Sequence, residues 1–495
     1  MDERVIVVGA GPTGLMLAHE LALAGISCTL LEKRSEQANL TRAFGMASRT
    51  LELLDARGLA DELVAEGNIV PAAQLNGGVS IDLSLIESRF NFMLITPQSI
   101  TERMLEQRCV ESGVEIVRGA QVTAVEQDGD GVTLTVTGPE GSRTERAAYV
   151  VGCDGTHSAI RSAVGITFVG KENVTPITLA DVELRDRPSD AVAAAVNREG
   201  VCLVVPFGDG YHRMIIWDRR NDHIAIDTPL TTDELRDSAT RIAGTDFGMS
   251  EPRWKSRFLA EQRQAEHYRA GRVLIAGDAA HSHSPIGAQG MNTGIGDAMN
   301  LGWKLAAVVR GTAKATLLDT FESERHPVGR MVLALTGGLT RATLIKSDIG
   351  LKIVQFAMRT VLSVEAIRRR PRGLVSGVGI AYAPRGQHPH RLAGKRALDL
   401  ELAGGQRLYE ALRNATFVLV DASPDGTAAA QATRGWGDRV AARTVVRRAG
   451  VTPQVLLVRP DGYVAWAADS APDATTLAAV LSEWCGPAKQ LQGQR

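Results

Sequence analysis

The chain has 495 residues, 44% hydrophobic and 22% charged, so it can bury sizeable cores and is expected to divide into two or three domains; a small stapled scaffold and a largely disordered chain are both excluded. Basic and acidic residues number 55 and 56, leaving a net charge of −1, which offers no overall field to nucleic acid or to an anionic membrane. Cys28, Cys109, Cys153, Cys202 and Cys485 are scattered, odd in number and never arranged as C-x-x-C, which argues against a disulfide framework, a zinc site or a dithiol centre and for a reducing compartment.

The N-terminus enters Val5-Ile-Val-Val8 without a basic flank or cleavage site, so no signal peptide is expected and the chain reads as cytoplasmic. The β-branched run predicts a strand buried on both faces, and Gly9-Ala-Gly11-Pro12-Thr13-Gly14 follows it at once. Apolar residues then recur at helical spacing from Leu15 to Ala24, Gly25 ends the helix, and Ser27 to Leu31 reads as the next strand. The stretch Leu15 to Ile26 is broken by His19 and Glu20 and is shorter than the roughly 20 residues a bilayer span needs, so it predicts a buried helix. Strand, glycine loop and helix make a dinucleotide fingerprint: Gly9 for a tight turn, Gly11 for approach to a pyrophosphate, Gly14 for helix packing, and the anion at the helix N-terminus. Glu32, eighteen positions past Gly14, stands where a carboxylate takes both ribose hydroxyls of an adenosine. This motif alone leaves NAD and FAD open.

A second strand-to-loop signal lies at Tyr149-Val-Val-Gly-Cys-Asp154-Gly155, and a third at Gly271-Arg-Val-Leu-Ile-Ala-Gly277-Asp278, where a small-residue loop runs on to Gly290 and a helix is expected from about Gly294. A strand-end carboxylate can accept hydrogen bonds from a polyol, which FAD has as ribityl and NAD lacks. The amides at the start of the following helix can stabilise negative charge on a reduced flavin ring.

Read together, Gly9/Gly11/Gly14 with Glu32, Asp154-Gly155 and Gly277-Asp278 resemble the three fingerprints of the class A flavoprotein monooxygenases, the FAD- and NAD(P)H-using aromatic hydroxylases. More narrowly the chain is similar to hydroxylases of aromatic polyketides and to rifampicin monooxygenases. Further segments carry the resemblance: Arg42-Ala43 with Arg49-Thr-Leu-Glu52, Pro97-Gln98 with Thr101-Glu102, Pro285-Ile-Gly-Ala-Gln-Gly290-Met-Asn292, and Leu318 to Pro327. The implied fold is α/β, a Rossmann-type FAD-binding domain like that of p-hydroxybenzoate hydroxylase, with a β-sheet substrate domain and a thioredoxin-like C-terminal domain. The implied boundaries are residues 1–75 with 100–180 and 270–335 for FAD, 76–99 with 181–269 for substrate, 336–391 as a helical linker, and 392–495 for the last domain. Cofactor contacts are implied for Gly9, Gly11, Pro12, Thr13, Gly14, Glu32, Lys33, Arg42, Gln98, Val122, Asp154, Gly155, Gly277, Asp278, Pro285, Gly287, Gln289, Gly290, Met291 and Asn292, and catalytic roles for Arg42 and Pro285. The implied reaction uses NADPH or NADH and O2 to hydroxylate a polycyclic aromatic through a C4a-hydroperoxyflavin, with Baeyer–Villiger insertion or rifamycin oxidation as alternatives on the same fold, and an inert FAD-fold binding protein as the non-enzyme alternative.

His281-Ser-His283 could suggest a metal, but no third ligand cluster accompanies it and no metal site is expected. Arg368-Arg-Arg-Pro-Arg372 reads as a solvated helix end. Segments Ala180 to Leu184, Val201 to Pro206 and Tyr211 to Trp217 predict a separate sheet whose Val201, Leu203, Val204, Ile215 and Ile216 offer an apolar pocket, with the facing of Arg213 undetermined. Cys485 is the only cysteine after Leu392, so the tail cannot exchange a dithiol and reads as a packing module. The expected partners are therefore small molecules, with no nucleic acid or membrane, on a monomer or homodimer.

Overall fold

The run Val5–Val8 is buried at all four positions, as a strand covered by helices on both faces must be. In the computed structural model, which describes residues 3–37, 43–75, 79–188, 192–207, 209–284, 287–343, 345, 347–362, 364–386, 388–445 and 453–489, this strand sits inside a six-stranded sheet. The strand order is Arg269–Ala270, Val273–Ile275, Tyr149–Gly152, Val5–Val8, Cys28–Glu32, Glu115–Arg118. All but the first are parallel. Parallelism brings motifs more than two hundred residues apart to one edge, because every parallel strand points its carboxyl end the same way. Helix Pro12–Leu23 packs on this sheet, and Gly25, at φ +69°, turns the chain back into Cys28–Glu32.

A second six-stranded sheet runs antiparallel in the order Ala193–Asn197, Gly200–Pro206, Tyr211–Asp218, Phe168–Glu183, Trp254–Ala265, His281–Ser282. The expected strand at Ala180 to Leu184 is the end of the sixteen-residue strand Phe168–Glu183. One face lies under helix Thr232–Ala243, where Ala180, Val182, Cys202, Val204, Met214 and Ile216 meet Leu235, Ala239 and Ile242. The other face packs toward Phe44, Val70 and Ile95.

The tail forms a four-stranded sheet ordered Val440–Thr444, Phe417–Asp421, Val455–Val458, Val464–Ala468, the first pair parallel and the others antiparallel, with helices Thr427–Trp436 and Ala474–Cys485. That order is the thioredoxin-like arrangement. Helix Glu365–Ser376 runs on through Pro371, so the basic run Arg368 to Arg372 lies within it rather than at its end. Tertiary contact outweighs the proline there: Val375 packs with Ile81 and Leu83, and Arg372 Nε donates to the Asp82 carbonyl at 2.8 Å. Among the described residues no helix is long and apolar enough to cross a membrane.

The tail is fastened by buried charge. Arg459 donates to both Glu324 oxygens at 2.9 and 2.8 Å and, through Nε, to Asp461 at 3.0 Å. Glu324 also takes Lys304 at 2.8 Å and Asn300 at 2.7 Å, both from helix Gly290–Val309. Arg49 reaches Glu52, Tyr409 Oη and the Asp461 carbonyl at 3.0, 2.7 and 2.8 Å. Burial pushes the Lys304 ammonium down to about 7, against the pull of Glu324. Removing one member strands its partners, which for a buried pair costs about 3–5 kcal/mol. Arg459→Ala is therefore expected to lower chemical-denaturation stability by that order, whereas an unchanged midpoint would show that the network carries no load.

Candidate functional site: a dinucleotide groove

Gly9, at φ +106°, lies so close to the next strand that a Cβ would sit 2.4 Å from the Cys153 carbonyl oxygen, and a Cβ on Gly14 would sit 1.9 Å from the Gly9 oxygen. Any side chain at either position would push helix Pro12–Leu23 off the strand ends. Gly11 differs, since a Cβ there would meet nothing within 4 Å. It is the residue before the first helical turn, has no side-chain cap, and is followed by Pro12. The uncapped amides of that turn thus border open space, which fits a pyrophosphate. Thr13 Oγ1 lies 2.5 and 2.2 Å from where Cβ atoms on Gly277 and Gly294 would be, so the first and third motifs close on each other only because those two are glycines.

Glu32 ends its strand with Oε2 accepting the Ala10 N–H at 2.7 Å and Oε1 accepting Arg34 N and Nε at 3.0 and 2.9 Å. Burial opposes the charge, but the hydrogen bonds from Arg34 and Ala10 hold the carboxyl below its usual range. Lys33 beside it is exposed, and Val122 is buried opposite Val136. Asp154 turns its carboxylate onto its own loop, accepting from Ser158 Oγ at 2.5 Å and Ile160 N at 3.2 Å, so it shapes the Gly155 turn. Arg161 ties that loop to the third motif by donating to the Ala279 and Thr156 carbonyls at 2.9 and 2.8 Å. Asp278 is exposed on the 3-10 turn Gly277–Ala279, its Oδ1 3.8 Å from where a Cβ on Gly290 would lie.

Helix Gly290–Val309 starts four residues before the expected Gly294. Glycine propensity is overridden by packing, since Gly294 receives Thr13 and Gly296 receives Arg325. Asn292 accepts from Ala47 N at 2.9 Å and donates to the Gly45 and Ala288 carbonyls at 2.9 and 2.6 Å. Gln289 Nε2 donates to the Gly287 carbonyl at 3.0 Å, Met291 is buried, and Gln98 joins Ala43 N and Glu102 at 2.9 and 2.7 Å. These side chains shape the loops at the helix N-terminus. Arg42 and Pro285 lie outside the described residues.

Sequence reasoning did not foresee the Asp297 hub. Its carboxylate accepts from Gly277 N at 3.1 Å, His281 Nε2 at 2.6 Å and Arg325 Nε at 2.6 Å. His281 Nδ1 in turn meets His283 Nε2 at 2.9 Å. The His-x-His spacing was the visible signal, but its partners are distant in sequence. Among the described residues no group of three His, Cys, Asp or Glu side chains could hold a metal. A cavity of about 30 Å³ between Leu53, Met299, Met331, Leu335 and Tyr463 has room for a water or two.

The face of the second sheet that packs toward Phe44, Val70 and Ile95 is laid out in rows by strand register. Val205, Arg213, Asp181 and Trp254 pair laterally, then Leu203, Ile215, Leu179 and Ser256, while Val201 faces Trp217 and Ile177 faces Phe258. Val201, Leu203 and Ile215 lie on this face, whereas Val204 and Ile216 are core beneath helix Thr232–Ala243. The five expected pocket residues divide because strand side chains alternate.

The FAD binding domain family matches residues 2–336, and the aromatic-ring hydroxylase C-terminal family matches residues 390–488. The chain belongs to the FAD-dependent aromatic-ring hydroxylases. It is 39% identical to a 12-dehydrotetracycline 5-monooxygenase/anhydrotetracycline 6-monooxygenase of Streptomyces rimosus, over 98% of this chain and 99% of that one. It is 37% identical to a rifampicin monooxygenase of Streptomyces venezuelae, over 98% and 99%. The solved structure of the anhydrotetracycline hydroxylase OxyS from Streptomyces rimosus superposes with a TM-score of 0.87 at 39% identity, covering 98% of this chain and 100% of that chain.

FAD fits the groove of this hydroxylase: a glycine-lined opening at a helix N-terminus, a strand-end carboxylate at Glu32 and an exposed one at Asp278. Asp278→Ala is expected to raise the FAD dissociation constant about tenfold or more, measured by flavin fluorescence titration, since an unpaired donor costs about 1–3 kcal/mol; an unchanged constant would remove Asp278 from the site. Asp297 supplies a pH test. Burial opposes its charge, but Arg325 and His281 together hold its pKa at about 2, below the ordinary 3.8. A depressed carboxylate stabilises the fold above the unfolded pKa and loses that stabilisation as pH falls through the folded one. Asp297→Asn is thus expected to cost about 2–3 kcal/mol at pH 7, with the gap to wild type shrinking between about pH 4 and pH 2. A gap independent of pH would contradict the pairing.

Proposed function

We propose that this hydroxylase is a monooxygenase that consumes NADPH or NADH together with O2 and places one oxygen atom on a neutral, fused-ring phenol. The observation that carries the reading is the second sheet's face toward Phe44, Val70 and Ile95, which is apolar and aromatic and whose one cation on the paired rows, Arg213, is matched by Asp181. Such a surface suits a large aromatic with few polar anchors. The tetracycline-type and rifampicin relatives add support.

When bound, FAD supplies the electron transfer and oxygen activation. The chain's residues have other tasks. Glu32 and the amides after Gly11 hold the adenosine and pyrophosphate, and Asp278 the ribityl chain. The N-terminus of helix Gly290–Val309 offers positive potential to a reduced, anionic ring. Arg42 and Pro285 remain the residues proposed nearest the ring. Residues 1–75, 100–180 and 270–335 are proposed to bind FAD and 76–99 with 181–269 the substrate, closing the reaction from water that would divert it to hydrogen peroxide.

Oxygen-uptake measurements with NADPH and NADH, run across polycyclic phenols, a rifamycin and 4-hydroxybenzoate, test this. A polycyclic compound or the ansamycin is expected to stimulate uptake and to yield an oxygenated product, and 4-hydroxybenzoate to do neither. Efficient hydroxylation of 4-hydroxybenzoate with no response to any larger compound would overturn the proposal.

A further inference from the structure

We propose that helices Asp348–Leu362 and Glu365–Ser376 form a docking face for an anionic lipid surface, their exposed apolar side chains entering the acyl boundary and the cations beside them meeting lipid phosphates. The inference is independent of the substrate reading, because it concerns the outer surface of these helices and not the groove.

At about 100° per residue, Ile349, Ile353 and Phe356 fall on one stripe of the first helix, and they are 72%, 62% and 73% exposed. The opposite side carries Val354, Gln355 and Met358, which are half-buried. The stripe is therefore not the face by which this helix packs on the protein, and an exposed apolar patch of this kind marks an interaction site. Val361, Val364 and Ile367 carry the exposed apolar surface across the junction to the second helix. Lys352 borders the stripe, Arg370 borders Ile367, and both are exposed, as is Arg369. A net charge of −1 over the whole chain thus conceals a local basic surface. The nearby carboxylate of Asp82 is turned to its own loop, accepting from Ser84 N and Oγ at 2.9 and 2.6 Å.

The occupant of such a face must offer apolar depth beneath an anionic layer. A bilayer with acidic headgroups has that profile: the stripe reaches the acyl boundary while the longer cationic side chains stay at the phosphates. A second copy of the chain does not match it. A two-fold contact sets a patch against itself, which would bring Lys352, Arg369 and Arg370 of one copy toward the same cations of the other. The second helix turns its other side inward, where Val375 packs with Ile81 and Leu83 and its carbonyl accepts from Gln289 Nε2 at 3.3 Å. The docking face and the loop that begins helix Gly290–Val309 are thus joined through one helix.

The test is co-sedimentation of the FAD-loaded full chain with vesicles of phosphatidylcholine and phosphatidylglycerol in equal parts, and with vesicles of phosphatidylcholine alone. Wild type is expected to sediment with the anionic vesicles at low salt, and about tenfold less at high salt or on neutral vesicles. Ile353→Asp with Phe356→Asp is expected to abolish binding while FAD content and the flavin spectrum stay as in wild type. Lys352→Gln with Arg369→Gln and Arg370→Gln is expected to weaken binding to anionic vesicles about a hundredfold, at about fivefold for each cation. Wild type that ignores anionic vesicles, or binds neutral ones equally well, would overturn the proposal, as would binding that survives either set of substitutions. Sedimentation velocity without lipid supplies the remaining outcome: a concentration-dependent dimer that the Ile353→Asp, Phe356→Asp chain no longer forms would assign the face to a second copy and overturn the lipid assignment. Should the aspartate variant fail to fold, the glutamine variant, altered only at exposed side chains, still decides.

Discussion

A single buried carboxylate, Asp297, fixes the geometry on which the groove depends. It is wholly unexposed and joins the backbone of the third motif, at Gly277, to His281 on the same loop and to Arg325 on the next helix. Arg325 extends the connection by donating to the Thr293 carbonyl at 2.9 Å and Tyr382 Oη at 3.2 Å. The turn carrying Asp278 and the start of helix Gly290–Val309 are therefore set by one charge cluster, and the groove has a defined width before any ligand enters. Such preorganisation is what the role proposed for the helix amides requires, since donors already in place need not reorganise during a reaction.

The same helix is held from behind by the tail. Lys304 and Asn300 from helix Gly290–Val309, Glu324 from helix Asp319–Thr343, and Arg459 with Asp461 from the thioredoxin-like unit share one buried network. Arg57 adds a second tie, donating to the Leu412 and Pro460 carbonyls at 2.9 and 3.1 Å while paired with Glu20. A buried pair of this kind adds little net stability over well-packed apolar groups, but loss of one partner leaves an uncompensated charge. The tail, with Cys485 buried and no second cysteine to pair with it, is read best as a brace for that helix.

Much of this was legible in the sequence because local rules and global packing agree there. The β-branched run, the spacing of Gly9, Gly11 and Gly14 and the glutamate at a strand end fix a βαβ unit by themselves, and the strand-to-Gly-Asp pattern at Asp278 named the third motif. What stayed hidden depends on contacts across long separations. The helix at Gly290 began earlier than its glycines suggested, because they are packing sites. Asp297 and Arg325 carry no local pattern, and the bonds of the Asp154 carboxylate to Ser158 and Ile160 of its own turn could not be read from the strand-to-Asp-Gly pattern. The facing of Arg213 could not be read from its own strand, since it follows from register with Phe168–Glu183.

These features describe an FAD-dependent aromatic-ring hydroxylase whose glycine-lined groove is braced by buried charge. The most direct measurement of that account is a reaction of FAD-loaded enzyme, reduced nicotinamide cofactor and a polycyclic phenol under isotopically heavy dioxygen, followed by mass spectrometry of the product. The account predicts one heavy oxygen atom in each product molecule. A product whose new oxygen comes from water, or substrate turnover without oxygen incorporation, would contradict it.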